Sequence, residues 1–266
     1  MGSVMERLST GVKKLDEILG GGIPRGFLVA VAGEPGTGKT VLCIHFAWQG
    51  ILEGDKVVYV TTEESRESVL RQAEVLGMRL ADAVERGSAI VIDALLSTDQ
   101  WSLRALNPED LVEKVVEAKK KLGYGRARLV VDSMSAFWLD KPAMARKYSY
   151  YLKKVLYKWD FTVLATTQYA ITTSEAFGFG LEHIADGIIR FRRVVRGGRL
   201  RRYLIVEKMR QTPHDLRMYE VVIEDGRGMR LVGPIDLRAE DFALPSIVSK
   251  KIVESRKRSE EAVPGE

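Results

Sequence analysis

From Phe27 onward the chain alternates short apolar, β-branched runs with longer amphipathic stretches. Phe27–Ala32, Val57–Thr61, Ala89–Asp93, Leu129–Asp132 and Thr162–Thr167 read as strands. Between them Lys39–Ile51, Glu67–Leu76, Pro108–Leu122 and Ala143–Trp159 read as helices. The third helix has the clearest start: Asn107 at the N-cap, Pro108 at the first helical position, and Glu109 and Asp110 where the helix dipole favours acids. Continuously apolar strands separated by helices of this length need crossover connections. The pattern therefore predicts an α/β fold around a buried, mostly parallel sheet.

After Thr167 the rhythm changes. A polar, glycine-containing stretch at 169–182 gives way to Gly187–Val195 and Arg199–Met209 around Gly197-Gly198, which reads as a β-hairpin. Tyr219–Glu224 and Met229–Val232 around Asp225-Gly226 predict a second hairpin, so antiparallel strands extend the sheet. From Pro245 the sequence is polar and charged. The expected organisation is one domain over 1–244 and a charged tail over 245–266.

Composition narrows the class. With 266 residues, 45% of them apolar, the chain has material for a large core, and its apolar runs fall far short of the ~18 residues of a membrane helix. The segment Met1–Ser9 lacks the apolar stretch of a secretory signal, so a cytoplasmic address without membrane attachment is expected. The single Cys43 and the scattered His45, His183 and His214 lack metal-ligand spacing, so any metal is expected to arrive with a ligand. The net charge of +5 is local: seven arginines and no acid lie between Arg190 and Arg202. Such a run is either a solvated face or an anion-binding one.

The strongest motif is Gly33-Glu34-Pro35-Gly36-Thr37-Gly38-Lys39-Thr40, a G-x-x-x-x-G-K-[ST] phosphate-binding loop directly after a strand and before a helix, with Val41 in the helix's first turn. Its glycines allow backbone N–H groups to turn inward, and the helix terminus adds positive charge. Lys39 can reach the β- and γ-phosphates, and the Thr40 hydroxyl suits Mg²⁺. Three further candidates end neighbouring strands. Asp132 suits a water-bridged Mg²⁺ role, or else caps the turn that follows. The adjacent Glu63 and Glu64 offer a carboxylate to polarise an attacking water, or are first-turn charges of the next helix. Gln168 is placed to contact a γ-phosphate, or simply ends its strand.

From about Ser9 to Pro234 the chain resembles a single KaiC-type domain of the RecA-like ATPases. The likeness rests on Ser9–Asp16 and Leu19–Gly26 ahead of the phosphate loop, the Glu63-Glu64 pair, Leu129–Ser133, Gly180–Ile189, and above all Glu207-Lys208-Met209-Arg210-Gln211-Thr212-Pro213-His214. This resemblance implies a RecA-like fold, ATP and Mg²⁺ as ligands, and a homo-oligomer, most simply a hexamer, with ATP between subunits. It implies that Lys208 and Arg210 act on a neighbour's nucleotide, which Met209, Thr212 and His214 also line. Without the resemblance, Lys208 and Arg210 read as an ordinary charged strand face.

The chain departs from the two-domain clock proteins in having one such domain. Hydroxyls at Thr172, Thr173 and Ser174 fall near the family's self-phosphorylation segment. Two functions follow: a regulatory oligomeric ATPase with an unidentified protein partner, or a RadA-type recombinase paralogue binding single-stranded DNA. In the second, Arg196, Arg199 and Arg201 near the hairpin turn are the expected DNA contacts.

Overall fold

The computed structural model describes residues 5–94, 98–137, 145–168 and 181–235. The expected tail at 245–266, the loop at 169–180 and the hydroxyls of Thr172, Thr173 and Ser174 lie outside these residues. The alternating pattern becomes a nine-stranded sheet flanked by helices. Six strands are parallel to one another: β3 (Leu28–Gly33), β4 (Lys56–Thr61), β5 (Ala89–Asp93), β6 (Ala127–Asp132), β7 (Phe161–Gln168) and β8 (Gly187–Arg196). Three more, β9 (Arg199–Met209), β10 (Met218–Glu224) and β11 (Gly228–Ile235), continue the sheet from β8 in antiparallel fashion. The order is β11-β10-β9-β8-β3-β7-β6-β4-β5, which puts β3 at the centre.

Strand β3 is buried on both faces, as its unbroken apolar run requires. One core lies between the sheet and α1 (Lys13–Ile18), α2 (Lys39–Leu52), α3 (Arg66–Val75) and α4 (Leu80–Glu85). On the opposite face a second core packs under α5 (Pro108–Leu122) and α6 (Ala145–Lys158). The start of α5 is as expected: Asn107 Oδ1 accepts from the Asp110 N–H at 2.7 Å, with Pro108 inside the first turn. Gly197 and Gly198 both have positive φ, 57° and 72°, so the first hairpin closes through a two-residue turn that suits the strand twist.

The elements that the hydrophobic pattern does not reveal are short: a ribbon of β1 (Arg7–Leu8) with β2 (Ile23–Pro24), the six-residue α1 and α4, and α7 (Leu181–Ile184). None is long enough to show a period. No helix of the described residues is long and apolar enough to cross a membrane.

At the amino end of the strands, the fully buried Arg128 of β6 is clamped from several sides. Its Nε donates to Asp55 Oδ2 at 2.7 Å and its Nη1 to Phe46 O at 3.0 Å; Nη2 pairs with Glu53, and the guanidinium lies 4.7 Å from the Phe46 ring centroid. Room for it comes from Gly50 inside α2, where a Cβ would stand 2.5 Å from Arg128 Cδ. The middle of α2 is tied by buried His45: its Nδ1 pairs with Gly11 O at 3.1 Å, and its Nε2 accepts from the Met229 N–H at 2.6 Å. Accepting at Nε2 requires a neutral ring, and burial lowers its pKa to about 4.

Two outcomes follow from these ties. Gly50→Ala should lower stability by about 2 kcal/mol, because the pinned Arg128 cannot give way, and urea unfolding measures it; an unchanged midpoint would contradict the clamp. Because the unfolded chain takes up a proton on His45 near pH 6.5 and the folded one only near pH 4, stability should fall as pH drops through that window, by up to about 3 kcal/mol. A pH series of denaturant melts should show this slope, and His45→Leu should flatten it.

Candidate nucleotide site

The phosphate loop spans the turn between β3 and α2. Gly36 and Gly38 have φ of 75° and 107°, which turn the chain into the start of α2, and no acid occupies that helix's first turn. A side chain at Gly38 would meet Ile223 Cδ1 and Met229 Cε at 3.1 Å, so the loop is pressed against the C-terminal strands. Lys39 is buried. Its Nζ donates to Gly33 O at 2.9 Å and Glu34 O at 3.0 Å, and the Thr37 hydroxyl donates to Glu34 O at 2.8 Å. Desolvation lowers the Lys39 pKa, while the charges of Asp132 and Glu63 act against that shift. Thr40 is half-buried at the start of α2, Val41 is buried behind it, and Pro35 is exposed at the loop tip.

Register brings the other candidates to the same edge. Gly33 pairs with Gln168 of β7, and Thr61 of β4 pairs with Asp132 of β6. Asp132 is held at both oxygens: the Thr166 hydroxyl donates to Oδ1 at 2.6 Å and the Tyr59 hydroxyl to Oδ2 at 3.2 Å. Beyond it the Asp132–Ser133 peptide is cis, and the Ser133 N–H donates to Thr62 Oγ1 at 2.8 Å. The two glutamates separate. Glu63 is exposed, whereas Glu64 accepts from the Ser68 hydroxyl at 2.7 Å and so is tied to α3. The contact of Glu64 with Ser68 is one made along the start of α3, while Glu63 sits just past the end of β4.

The distal segment lies elsewhere. Lys208 and Met209 at the end of β9 pair with Ile188 and Gly187 at the start of β8, and Gly187 pairs with Val29 of β3. This is the amino end of the parallel strands, away from Gly33. There Lys208 Nζ donates to Ala185 O at 2.7 Å, and the Arg210 N–H donates to Asp186 O at 2.8 Å. Met209 is buried, with its thioether over Gly187. Thr212 Oγ1 accepts from Arg7 at 3.1 Å, and His214 Nδ1 pairs with Thr212 O at 3.1 Å.

The arginine-rich hairpin divides between two faces. Arg193 and Arg202 are cross-strand partners on the side of Phe191 and Leu204, and the Arg202 Nε donates to Gly36 O of the phosphate loop at 2.9 Å. Arg190, Arg192, Arg196, Arg199 and Arg201 point to the other side. Of these, Arg190 pairs with Glu207 and Arg201 with Glu220. Arg196, Arg199 and Arg201 line an open recess of about 460 Å³ at the tip. Sequence reading located this charge and overlooked that Arg202 serves the phosphate loop. Alternation from the core residue Phe191 carried the signal: positions 191 and 193 share a face, as do 202 and 204.

A model of the KaiC ATPase family matches residues 8–234. The chain belongs to the KaiC ATPase family. It is 34% identical over 230 residues to a UPF0273 protein of Thermotoga maritima, covering 84% of this chain and 94% of that one. To a UPF0273 protein of Methanopyrus kandleri it is 35% identical over 233 residues, covering 85% and 92%. The solved structure of a KaiC-like protein from Pyrococcus horikoshii superposes with a TM-score of 0.74 at 26% identity, covering 86% of this chain and all of that one. The fold is thus the RecA-like one of KaiC domains, a mostly parallel sheet with antiparallel C-terminal strands.

The family implies a nucleotide and usually Mg²⁺, and the residues present fit both. Among the described residues, the buried Thr167 Oγ1 and Glu34 Oε2 beside the loop have no hydrogen-bond partner, an arrangement that suits a polar ligand. No cluster of three or more His, Cys, Asp or Glu suited to a metal occurs among them. Since Thr166 orients Asp132, Thr166→Val should raise the Mg²⁺ concentration needed for half-maximal nucleotide binding by about tenfold. Titrating Mg²⁺ against a fluorescent ATP analogue measures this, and an unchanged midpoint would show that Asp132 needs no such support.

Proposed function

We propose that this protein is an oligomeric ATPase that binds Mg·ATP between identical subunits, most simply in a six-membered ring, and hydrolyses it. The observation that carries the reading is the placement of Lys208 and Arg210. They lie near the level of Val29, four residues of β3 before Gly33, or about 13 Å along the strand from their own phosphate loop. A KaiC-type role for them therefore requires a neighbour's nucleotide. In a head-to-tail ring each subunit presents both ends, so the site is completed by the next subunit.

In this reading the loop N–H groups and Lys39 hold the β- and γ-phosphates, and Thr40 and Asp132 hold Mg²⁺, which neutralises charge developing on the transferred phosphoryl group. Glu63 orients the attacking water from the exposed strand end, and Gln168 is positioned beside Gly33. The partner subunit's Lys208 and Arg210 offset charge on the γ-phosphate, as an arginine finger does. Thr212 and His214 line the same nucleotide, while buried Met209 serves chiefly to seat that segment. A cycle that remakes subunit contacts suits regulation through a protein partner. The outward set Arg196, Arg199 and Arg201 favours a second reading, contact with single-stranded DNA as in a recombinase paralogue.

Three variants test the first reading together. Lys39→Ala should abolish nucleotide binding, and Glu63→Gln should keep binding while lowering turnover at least about a hundredfold. Arg210→Ala should lose turnover alone yet regain part of it when mixed with Lys39→Ala, since some mixed interfaces unite an intact loop with an intact finger. No recovery after verified subunit exchange would show that Arg210 does not act across subunits.

A further inference from the structure

Helix α6 buries Ser149, Leu152 and Leu156 against the sheet, and it aims Lys153 at Ile184 O and Asp186, at 3.0 and 2.6 Å. Its outer face has a narrow composition. Lys147, Tyr150, Tyr151, Lys154, Tyr157 and Lys158 are all exposed, and the helix contains no acid. The three tyrosines are 57%, 41% and 70% exposed, an unusual cost for large rings that a folded chain normally covers. None of these lysines has a salt bridge among the described residues; Asp160, just past the helix, is paired with Arg25, and Asp186 with Lys153 and Arg210. At 1.5 Å per residue, Tyr150 and Tyr157 stand about 10 Å apart along the axis, with Lys154 between them.

The surface continues past the helix. Lys120 of α5 lies 5.7 Å from the Trp159 ring centroid, Lys121 is exposed beside it, and Tyr124 is 96% exposed. The outward arginines of the β8–β9 hairpin lie on this same side of the sheet, because Ile189 and Phe191 pack on the α2 side and alternation turns Arg190 and Arg192 the other way.

We infer that the outer face of α6 is a binding platform for single-stranded nucleic acid. Lysines supply backbone contacts without sequence preference, and the tyrosine rings between them offer stacking surfaces to unpaired bases. A lipid surface fits less well. The helix has already spent its aliphatic residues on the core, and the exposed face carries no Leu, Ile, Val, Phe or Met to enter an acyl layer. The inference stands apart from both the ATPase reading and the hairpin tip.

The test is fluorescence anisotropy of labelled oligothymidylate and oligouridylate of about thirty nucleotides, between about 50 and 200 mM salt. Tyr150→Ala with Tyr157→Ala should weaken binding about fivefold or more per ring, and Tyr→Phe at both positions should retain it because the stacking surface remains. Lys147→Gln, Lys154→Gln and Lys158→Gln together should reduce the slope of log affinity against log salt by about 2. Comparing the two oligomers separates DNA from RNA as the source of the strand. Circular dichroism melts verify folding, and the Tyr→Phe pair keeps the test valid if the alanine pair unfolds. Binding that survives both α6 variants, or that is lost only with Arg196→Glu, Arg199→Glu and Arg201→Glu, overturns the inference. So does binding to phosphatidylserine vesicles in place of either oligonucleotide.

Discussion

The close approach of α2 to the central sheet is the constraint on which the rest of the structure depends. The phosphate loop is the first turn of this helix, so whatever positions α2 positions the loop. Two buried polar side chains do so: Arg128 reaches up from β6 to the helix's carboxyl end, and His45 reaches out from its middle to Gly11 and Met229. Both are costly to bury, and both are matched to partners on separate segments. An apolar contact would have held the helix against the sheet equally well; directional bonds also fix where along the sheet it stops. That precision matters because backbone donors at a phosphate site act only when they are aimed.

The two ends of the sheet then take on different chemistry. At the carboxyl ends, Gly33, Asp132, Gln168 and the Glu63 segment meet, with α2's positive end beside them. At the amino ends, Asp186 gathers Lys153, Arg210 and the Leu28 N–H, and Lys208 leans on Ala185 O. Burial lowers the Lys208 pKa, with Arg210 nearby acting the same way. A cation so placed is discharged more easily than a solvated one, and an incoming anion would reverse that tendency.

Much of this was legible in the sequence because it depends on local pattern. Each parallel strand near the site is a continuous apolar run, and the phosphate loop is contiguous in the chain. Asp132 and Gln168 could be found because strand ends are where such runs stop. The hidden parts depend on contacts distant in sequence. Thr166 and Tyr59 look like ordinary strand residues until register sets both against Asp132. Arg128 at the start of an apolar run looks like a boundary, yet it is fully buried, and the mid-helix Gly50 that admits it looks like a defect. Glu63 and Glu64 are chemically identical neighbours, and sequence does not show that the Ser68 hydroxyl one turn on donates to Glu64. The aromatic and basic face of α6 escaped because a helix with polar outer positions is expected, and composition alone does not show that tyrosines occupy them.

The β8–β9 hairpin joins the two kinds of surface. One of its faces places Arg202 on the carbonyl of Gly36 and Arg193 beside it; the other turns arginines toward the side of the sheet that carries α6. The directly opposed pairs Arg193/Arg202 and Arg196/Arg199 repel one another, whereas Arg190 and Arg201 are relieved by Glu207 and Glu220 on neighbouring strand positions. Anions on either face therefore relax the same strained distribution. Occupying one face lowers the repulsion that the other would otherwise relieve, so through charge alone the two occupancies oppose each other, and the opposition must be equal in both directions. Salt screens that effect.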